Sequence, residues 1–123
     1  MTRVLSILFA LAALLLLASA GLLHWDIFGV PPSTIRWVTQ SEEEVFGYDV
    51  YRGESEVGPF QRLNELAISG GGTTDLPQRY VYTDDTIESG KVYWYYVEKI
   101  TLSGERSRLT PIYPSRPKAA FFW

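Results

Sequence analysis

The hydrophobic pattern of the chain divides it into two unlike parts. An uncharged apolar run begins at Val4, ends at Leu23 and carries no Asp, Glu, Lys or Arg. As an α-helix rising about 1.5 Å per residue, this run spans roughly 30 Å, the thickness of a membrane hydrocarbon core. From Ile35 onwards the chain shows short runs of Val, Ile, Tyr, Phe and Trp, separated by Gly, Pro, Ser and Asp. That pattern predicts an antiparallel all-β domain preceded by one N-terminal helix.

Alternation of apolar and polar positions predicts the individual strands, because successive side chains of a strand point to opposite faces. Strands are predicted at residues 34–39, 46–52, 60–63, 80–83, 91–101 (the longest) and near 106–112. The side chains predicted to face the interior are Ile35, Trp37, Phe46, Tyr48, Val50, Tyr93, Tyr95 and Val97. Glycines 70–72 are predicted to form a flexible loop. Pro111, Pro114 and Pro117 are expected to end strand pairing, because proline has no N–H to donate.

The order and spacing of several motifs resemble fibronectin type III-like modules of bacterial exported and membrane-anchored proteins. These motifs are Ile35-Arg36-Trp37, then Gly47-Tyr48-Asp49-Val50-Tyr51-Arg52 with Gly58-Pro59-Phe60 after it, and the run from Ile87 to Val97. The resemblance covers roughly residues 32–113. It implies an immunoglobulin-like antiparallel β-sandwich in which Tyr93 occupies the tyrosine-corner position, where its hydroxyl bonds to nearby backbone. In two places the chain departs from the pattern: no first strand is obvious between Trp25 and Pro32, and residues 66–78 are long and rich in glycine.

The resemblance also implies that the two central strands are neighbours, so that the outward residues Tyr51, Trp94 and Tyr96 lie together. Large exposed aromatics of this kind mark a partner surface or a sugar-stacking platform. The alternatives are cross-strand pairing for stability or cover by the chain's own tail. The tail carries three more candidate contact residues, Phe121, Phe122 and Trp123.

The predicted organisation is an anchor or signal segment at residues 1–24, a linker at 25–32, a sandwich at 33–113 and an extended aromatic tail at 114–123. Retention of the first segment is favoured because Leu22 and Leu23 continue the apolar run and Trp25 suits a membrane interface. Arg3 then predicts a cytoplasmic N-terminus and a periplasmic or extracellular sandwich. The alternative is secretion after signal-peptide cleavage at Ala20.

Small residues on one face of the predicted helix form a candidate packing surface. Ser6, Ala10 and Ala13 share that face at a spacing that lets a second transmembrane helix approach closely. The ordinary composition of a leader segment explains the same residues equally well.

The amino-acid composition excludes several kinds of partner and of catalytic or metal site. The formal net charge is −3, there is no cysteine, and His24 is the only histidine. These counts argue against a nucleic-acid partner and exclude a disulfide, a thiolate metal site and a serine–histidine triad in the β domain. Carboxylates at residues 42–44 and 84–85 are expected to be solvated loop positions; the alternatives are an acid–base pair or a calcium site at Asp84 and Asp85. We therefore predict no enzymatic activity, no cofactor and no metal.

These observations favour a non-catalytic accessory subunit of a larger membrane complex. The bilayer would hold residues 4–23, and the sandwich would contact other subunits. An energy-transducing or light-harvesting assembly suits such a subunit by analogy only. The alternative is a secreted module that recognises carbohydrate or an envelope protein through its exposed aromatics.

Overall fold

Eight β-strands form the regular structure of residues 29–119, the part of the chain that the computed structural model describes. The strands are β1 (Ser33–Thr39), β2 (Glu42–Gly53), β3 (Phe60–Arg62), β4 (Ile68–Thr74), β5 (Gln78–Asp84), β6 (Trp94–Thr101), β7 (Arg106–Arg108) and β8 (Tyr113–Pro114). All of the strand pairs are antiparallel, and no residue in this range is helical. The prediction of an all-β domain is therefore confirmed over these residues.

The strands form two sheets that pack face to face. β1 and β5 form a two-stranded sheet, which we call the small sheet. The large sheet has the order β3-β2-β6-β7, with β4 also paired to β2 and β8 to β6. Trp37 on β1 and Tyr80 on β5 contact Tyr48 on β2, with ring centroids 5.6 and 4.8 Å apart. Contact between rings of opposite sheets gives the domain a β-sandwich architecture.

The interior contains most of the side chains that alternation assigns to it. The residues confirmed as buried are Ile35, Trp37, Tyr48, Val50, Tyr93, Tyr95 and Val97. Burial of a large apolar side chain stabilises the fold by about 1.5–3 kcal/mol, so this set contributes substantially to the stability of the sandwich. The hydroxyl of Tyr93 accepts a hydrogen bond from the backbone N–H of Glu88 at 2.9 Å. That bond has the form predicted for the tyrosine corner.

Phe46 does not face the interior as predicted, because its side chain is 55% exposed. The register of β2 against β4 and β6 shifts between Val45 and Gly47, and Glu44 just before has a φ of 49°. An irregularity of this kind inserts one residue into the ladder and reverses the facing of the side chains before it. Val45, which is 3% exposed, is the buried residue on this part of β2.

The three glycines at 70–72 lie within β4 and do not form the predicted loop. Their lack of side chains lets β4 approach β2 closely: a Cβ added at Gly70 would lie 2.7 Å from Cγ1 of Val45 and 3.0 Å from its carbonyl oxygen. Strand lengths also differ from the prediction: β6, which was expected to be the longest strand, has 8 residues, and β2 has 12.

Pro114 does not end strand pairing as expected, because it is itself part of β8. A proline is tolerated there since β8 lies at the edge of the sheet.

Residues after β8 stay attached to the sandwich. Ser115 donates its backbone N–H to the carbonyl of Tyr93 at 2.7 Å, and the carbonyl of Lys118 accepts from the backbone N–H of Gly90 at the same distance.

Residues 29–119 contain no helix long and apolar enough to cross a membrane. The predicted span at 4–23 and the candidate residues Ser6, Ala10, Ala13, Phe121, Phe122 and Trp123 lie outside the described residues.

Candidate partner-binding surface

The β2–β6 pair has one face that points away from the sandwich interior. The ladder pairs Tyr51 with Tyr96, Asp49 with Glu98, and Gly53 with Trp94. These positions alternate with the buried inward residues Tyr48, Val50, Tyr95 and Val97. The structure therefore places all three aromatics that were predicted to point outward on one face. Each of them is half-buried.

Rings from three strands contact one another on this face. Tyr51 and Tyr96 stack with centroids 4.8 Å apart and planes 6° apart. Phe60 meets Tyr96 edge to face at 5.1 Å, and the guanidinium carbon of Arg108 lies 5.5 Å from the centre of the Tyr96 ring. We call Tyr51, Phe60, Tyr96 and Arg108 the outer aromatic cluster. Such pairs add about 0.5–1.5 kcal/mol beyond their buried area.

Phe60 reaches the cluster because Gly53 has no side chain. The two residues are paired between β2 and β3, and a Cβ on Gly53 would lie 2.9 Å from the Phe60 ring. The phenyl ring therefore lies across the position that a side chain would fill. From the sequence, Phe60 was expected in a strand and in the Gly58-Pro59-Phe60 motif, but not on this surface. The available signal was the glycine two residues after Tyr51, on the same face of the strand.

Trp94 extends the exposed aromatic face at the end of β6. It pairs with Gly53 on one side and with Pro114 on the other, and neither neighbour has a large side chain. The position two residues along the same face is Tyr96. Trp94 and Tyr96 therefore occupy successive positions on the outer face of β6.

A charged cluster adjoins the rings. Asp49 is 1% exposed although it lies on the outer face, because longer side chains cover it. Arg106 contacts both Asp49 and Glu98 at 2.8 Å, and the Nδ2 of Asn64 donates to Asp49 at 2.7 Å. Hydrogen bonds to the two carboxylates raise the pKa of Arg106, which keeps this guanidinium charged. Arg62 lies further from Asp49, at 3.8 Å.

The Tyr96 ring has neighbours on both sides of β6, which limits its use for sugar stacking. Sugar stacking needs a ring face that is flat and open. Tyr51 approaches the Tyr96 ring from β2 and Arg108 approaches it from β7, and these strands lie on opposite sides of β6. The Tyr96 ring therefore contacts a tyrosine ring from one adjacent strand and a guanidinium group from the other. Tyr, Trp, Phe and Arg are the residues enriched at the centres of protein interfaces.

Inside the sandwich, Asp84 joins the two sheets. It accepts hydrogen bonds from Nη1 of Arg52 at 2.9 Å and from the Tyr95 hydroxyl at 2.7 Å, and both the backbone and the side chain of Thr86 donate to it. Burial alone would raise the pKa of Asp84, but donors from Tyr95, Thr86 and Arg52 outweigh burial and lower it. Burial, together with the hydrogen bond to the same carboxylate, raises the pKa of Tyr95.

Glu42 forms a second interior cluster at the other end of the sheets. It accepts hydrogen bonds from the Tyr48 hydroxyl, from the Tyr80 hydroxyl at 2.7 Å and from the backbone of Gly71 at 2.8 Å. Burial opposes these bonds, yet they hold the pKa of Glu42 below its ordinary value. Burial and Glu42 raise the pKa of Tyr80 to about 12.

The expectation that carboxylates at 42–44 and 84–85 are solvated is thus wrong for Glu42 and Asp84, which are 5% and 2% exposed. Both are connected to the opposite sheet or to neighbouring strands by hydrogen bonds, which accounts for their burial. Among residues 29–119, no group of three or more His, Cys, Asp or Glu side chains is arranged to hold a metal ion.

Comparison with known proteins gives one informative similarity. No protein-family model matches the chain, and no solved structure matches it. Over 75 residues the chain is 29% identical to an amylopullulanase of Thermoanaerobacter thermohydrosulfuricus. The match covers 60% of this chain and 4% of the amylopullulanase. The chain is therefore similar to a short part of a much longer protein.

Proposed function

We propose that this chain is a non-catalytic, fibronectin type III-like module that contacts a protein partner through the outer face of its large sheet. The observation that carries the proposal is the outer aromatic cluster, in which Tyr51 and Tyr96 stack and Arg108 lies against the Tyr96 ring. Trp94 continues this surface. Half-buried aromatics next to arginine are the usual composition of interface hot spots.

The fibronectin type III-like assignment draws support from three features of the sandwich. Its two sheets are antiparallel, Trp37 is 6% exposed in the interior, and the Tyr93 hydroxyl is bonded to the backbone of Glu88. Features of this kind characterise the immunoglobulin-like sandwiches as a group.

We further propose that the module is an accessory subunit of a larger membrane complex. In this proposal residues 4–23 span the bilayer, the N-terminus is cytoplasmic and the sandwich is periplasmic or extracellular. The proposal is supported by the twenty uncharged residues that follow Arg3 and by Trp25 just after them.

A non-catalytic role is supported by the way in which the interior carboxylates are used. Glu42 accepts three hydrogen bonds, and Asp84 accepts bonds from Arg52, Thr86 and Tyr95. A carboxylate whose lone pairs are taken by structural donors is poorly placed to exchange protons with a substrate. We therefore assign both residues to the stability of the sandwich.

The test is purification of the full chain from its native membranes in a mild detergent, with identification of co-purifying chains. Tyr51→Ala combined with Tyr96→Ala should reduce the recovery of a partner at least about tenfold, since hot-spot truncations commonly cost 2 kcal/mol or more. The matched control is Val57→Ala combined with Leu66→Ala, because these apolar side chains are 90% and 85% exposed and lie outside the cluster.

The control variant should retain the partner. Recovery of the wild-type chain as a lone monomer would contradict the proposal. So would undiminished partner recovery by the Tyr51 and Tyr96 variant, provided that its circular dichroism spectrum shows an intact fold.

A second candidate function is favoured by the similarity to an amylopullulanase. In this alternative the chain is cleaved after Ala20 and secreted, and it binds carbohydrate through Tyr51, Trp94 and Tyr96. Retardation of the protein in gels that contain soluble starch or pullulan would support it. Mass spectrometry separates the two proposals, because an intact N-terminus fits the membrane subunit and a new terminus at Gly21 fits the secreted module.

A further inference from the structure

Within residues 29–119, the small sheet has a free edge along β1. β1 pairs with β5 over its whole length, from Ser33 opposite Asp84 to Thr39 opposite Gln78, and with no other strand of residues 29–119. In an antiparallel pair, the N–H and C=O groups of alternate residues point away from the partner strand. Within the described range, the backbone of β1 has no hydrogen bonds beyond those to β5. Half of its backbone groups are therefore open to a further strand.

β1 lacks the features by which proteins usually block a free edge. Such features are proline, inward charges, lysine and bulges. Between Ser33 and Thr39 there is no proline, glycine or lysine, and the register against β5 runs without a shift. In contrast, the edge strands β3 and β7 of the large sheet have only three residues each, and the edge strand β8 contains Pro114. The β-branched and aromatic residues of β1 strongly favour an extended strand.

The residues just before β1 are poorly suited to cover this edge themselves. Pro31 and Pro32 directly precede Ser33. A two-residue hairpin turn requires positive φ at one or both central positions, whereas proline holds φ near about −65°. A two-residue turn at Pro31 and Pro32 therefore cannot lead the chain back along β1. An extended segment of another molecule is free of this restriction.

Two arginines on the small sheet indicate which side chains a segment bound to this edge would carry. Arg36 on β1 and Arg79 on β5 are exposed on the outer face of the small sheet and form no ion pair with residues 29–119. The register sets Arg36 opposite Val81 and Arg79 opposite Val38, so each arginine adjoins an exposed valine. The arginines of the large sheet differ, because Arg52, Arg62 and Arg106 contact carboxylates and Arg108 contacts a ring.

We propose that the free edge of β1 accepts one extended segment of a partner protein, which becomes the third strand of the small sheet. Its outward positions carry Asp or Glu beside Arg36, and its inward positions are apolar. Backbone hydrogen bonds supply the affinity, and the alternating side chains supply the selectivity. This edge lies on the opposite sheet from the outer aromatic cluster, so the two surfaces can be tested separately.

The test uses the full chain in neutral detergent micelles and a synthetic heptapeptide of alternating valine and glutamate between terminal threonines. Exchange of the backbone amides of β1 with solvent is followed by NMR. The peptide should slow exchange at alternate residues of β1 about tenfold, which corresponds to about 1.4 kcal/mol of protection, and leave β3 unchanged. A peptide with proline in place of valine keeps the charge but cannot form a ladder, so it should have no effect.

Charge is tested by a matched pair of variants. Arg36→Glu should weaken the effect of the glutamate peptide several-fold. Arg116→Glu makes the same change in charge at an exposed position after β8 and should leave the effect unaltered. A lysine version of the peptide should bind Arg36→Glu better than it binds the wild-type chain.

Several results would overturn the proposal. The first is that all β1 amides are already protected in the free chain, since the edge would then be covered from within. A second is that the glutamate peptide fails to protect β1 in the wild-type chain, a result that does not depend on any variant folding. Equal protection by the proline peptide, or by anionic lipid added to the micelles without peptide, would also refute strand addition.

Discussion

The two faces of the β2–β6 pair both carry tyrosines, but they hold them in different ways. On the inner face, the hydroxyls of Tyr48 and Tyr95 donate to Glu42 and Asp84, and each ring is at most 1% exposed. On the outer face, Tyr51 and Tyr96 are half-buried and contact each other through their ring faces. Removal of the Tyr48 or Tyr95 hydroxyl takes one hydrogen-bond donor away from a buried carboxylate. Removal of the Tyr51 or Tyr96 ring instead leaves a space on the surface that water can fill.

This difference between the inner and outer tyrosines separates the residues that specify the fold from those that are available to bind a partner. A buried polar group that loses its partner costs about 1–3 kcal/mol, so the inner network allows little variation. An exposed ring pair contributes less to folding and leaves ring edges available to a neighbour. The two strands thus combine a rigid interior with an outer surface that can change without loss of the fold.

The largest expected effect comes from the inner face at Asp84. Asp84→Asn should lower the free energy of unfolding by about 3–5 kcal/mol, because it leaves the largely buried Arg52 without a countercharge. Asp85→Asn is the matched control, since this neighbour is exposed and should change stability by less than about 0.5 kcal/mol. Urea denaturation measures both variants, and equal midpoints would show that the buried ion pair contributes little.

The next effect depends on pH. The pKa of Glu42 is lowered in the folded state, so its contribution to stability is present above the unfolded pKa and is lost as the pH falls through the folded pKa. Glu42→Gln should cost about 1–2 kcal/mol at neutral pH and flatten the loss of stability on acidification below about pH 4.5. Glu43→Gln, at an exposed position, should leave the acid profile unchanged. An identical profile for both variants would contradict the role assigned to Glu42.

A smaller effect is expected for the outer ring stack. In a double-mutant cycle of Tyr51→Ala and Tyr96→Ala, the coupling energy should be about 0.5–1 kcal/mol, as for aromatic cross-strand pairs. The measurement is the urea midpoint of the single and double variants. A coupling above about 3 kcal/mol would mean that the outer face contributes to folding as strongly as the inner one.

The smallest effect should come from Phe46, which the irregularity in β2 turns outward. Phe46→Ser should change the free energy of unfolding by less than about 0.5 kcal/mol, whereas Val45→Ala at the adjacent buried position should cost about 1–3 kcal/mol. A larger loss for Phe46→Ser than for Val45→Ala in thermal denaturation would contradict the observed register.

Alternation along the strands was enough to predict most of the core, because Ile35, Trp37, Tyr95 and Val97 lie in strands that keep their register. It failed at Phe46, because the irregularity between Val45 and Gly47 inserts one residue and reverses the pattern, and Gly47 alone does not show which side chains it turns inward. It also failed for the glycines of β4, because close approach to β2 depends on a partner strand over twenty residues away.

The outer aromatic cluster and the interior carboxylate clusters were predictable only in part, because they too depend on contacts between strands that are distant in the sequence. The outward direction of Tyr51 and Tyr96 follows from their own strands, but the contribution of Phe60 depends on the register with Gly53. The interior roles of Glu42 and Asp84 depend on Tyr80, 38 residues from Glu42, and on Arg52, 32 residues from Asp84. The predicted helix and the tail residues Phe121, Phe122 and Trp123 lie outside the described residues and stay predictions.

The topology also has a consequence for how the chain is made. The ladders that define both sheets join distant segments: Ser33 pairs with Asp84, and Val45 pairs with Thr101. At synthesis rates of about 5–20 residues per second, β1 and β2 emerge several seconds before β5 and β6 exist to pair with them. During that interval the apolar, strand-forming segments β1 and β2 lack the strands with which they pair in the folded domain. The nascent chain is therefore most prone to aggregation before residue 101 has been added.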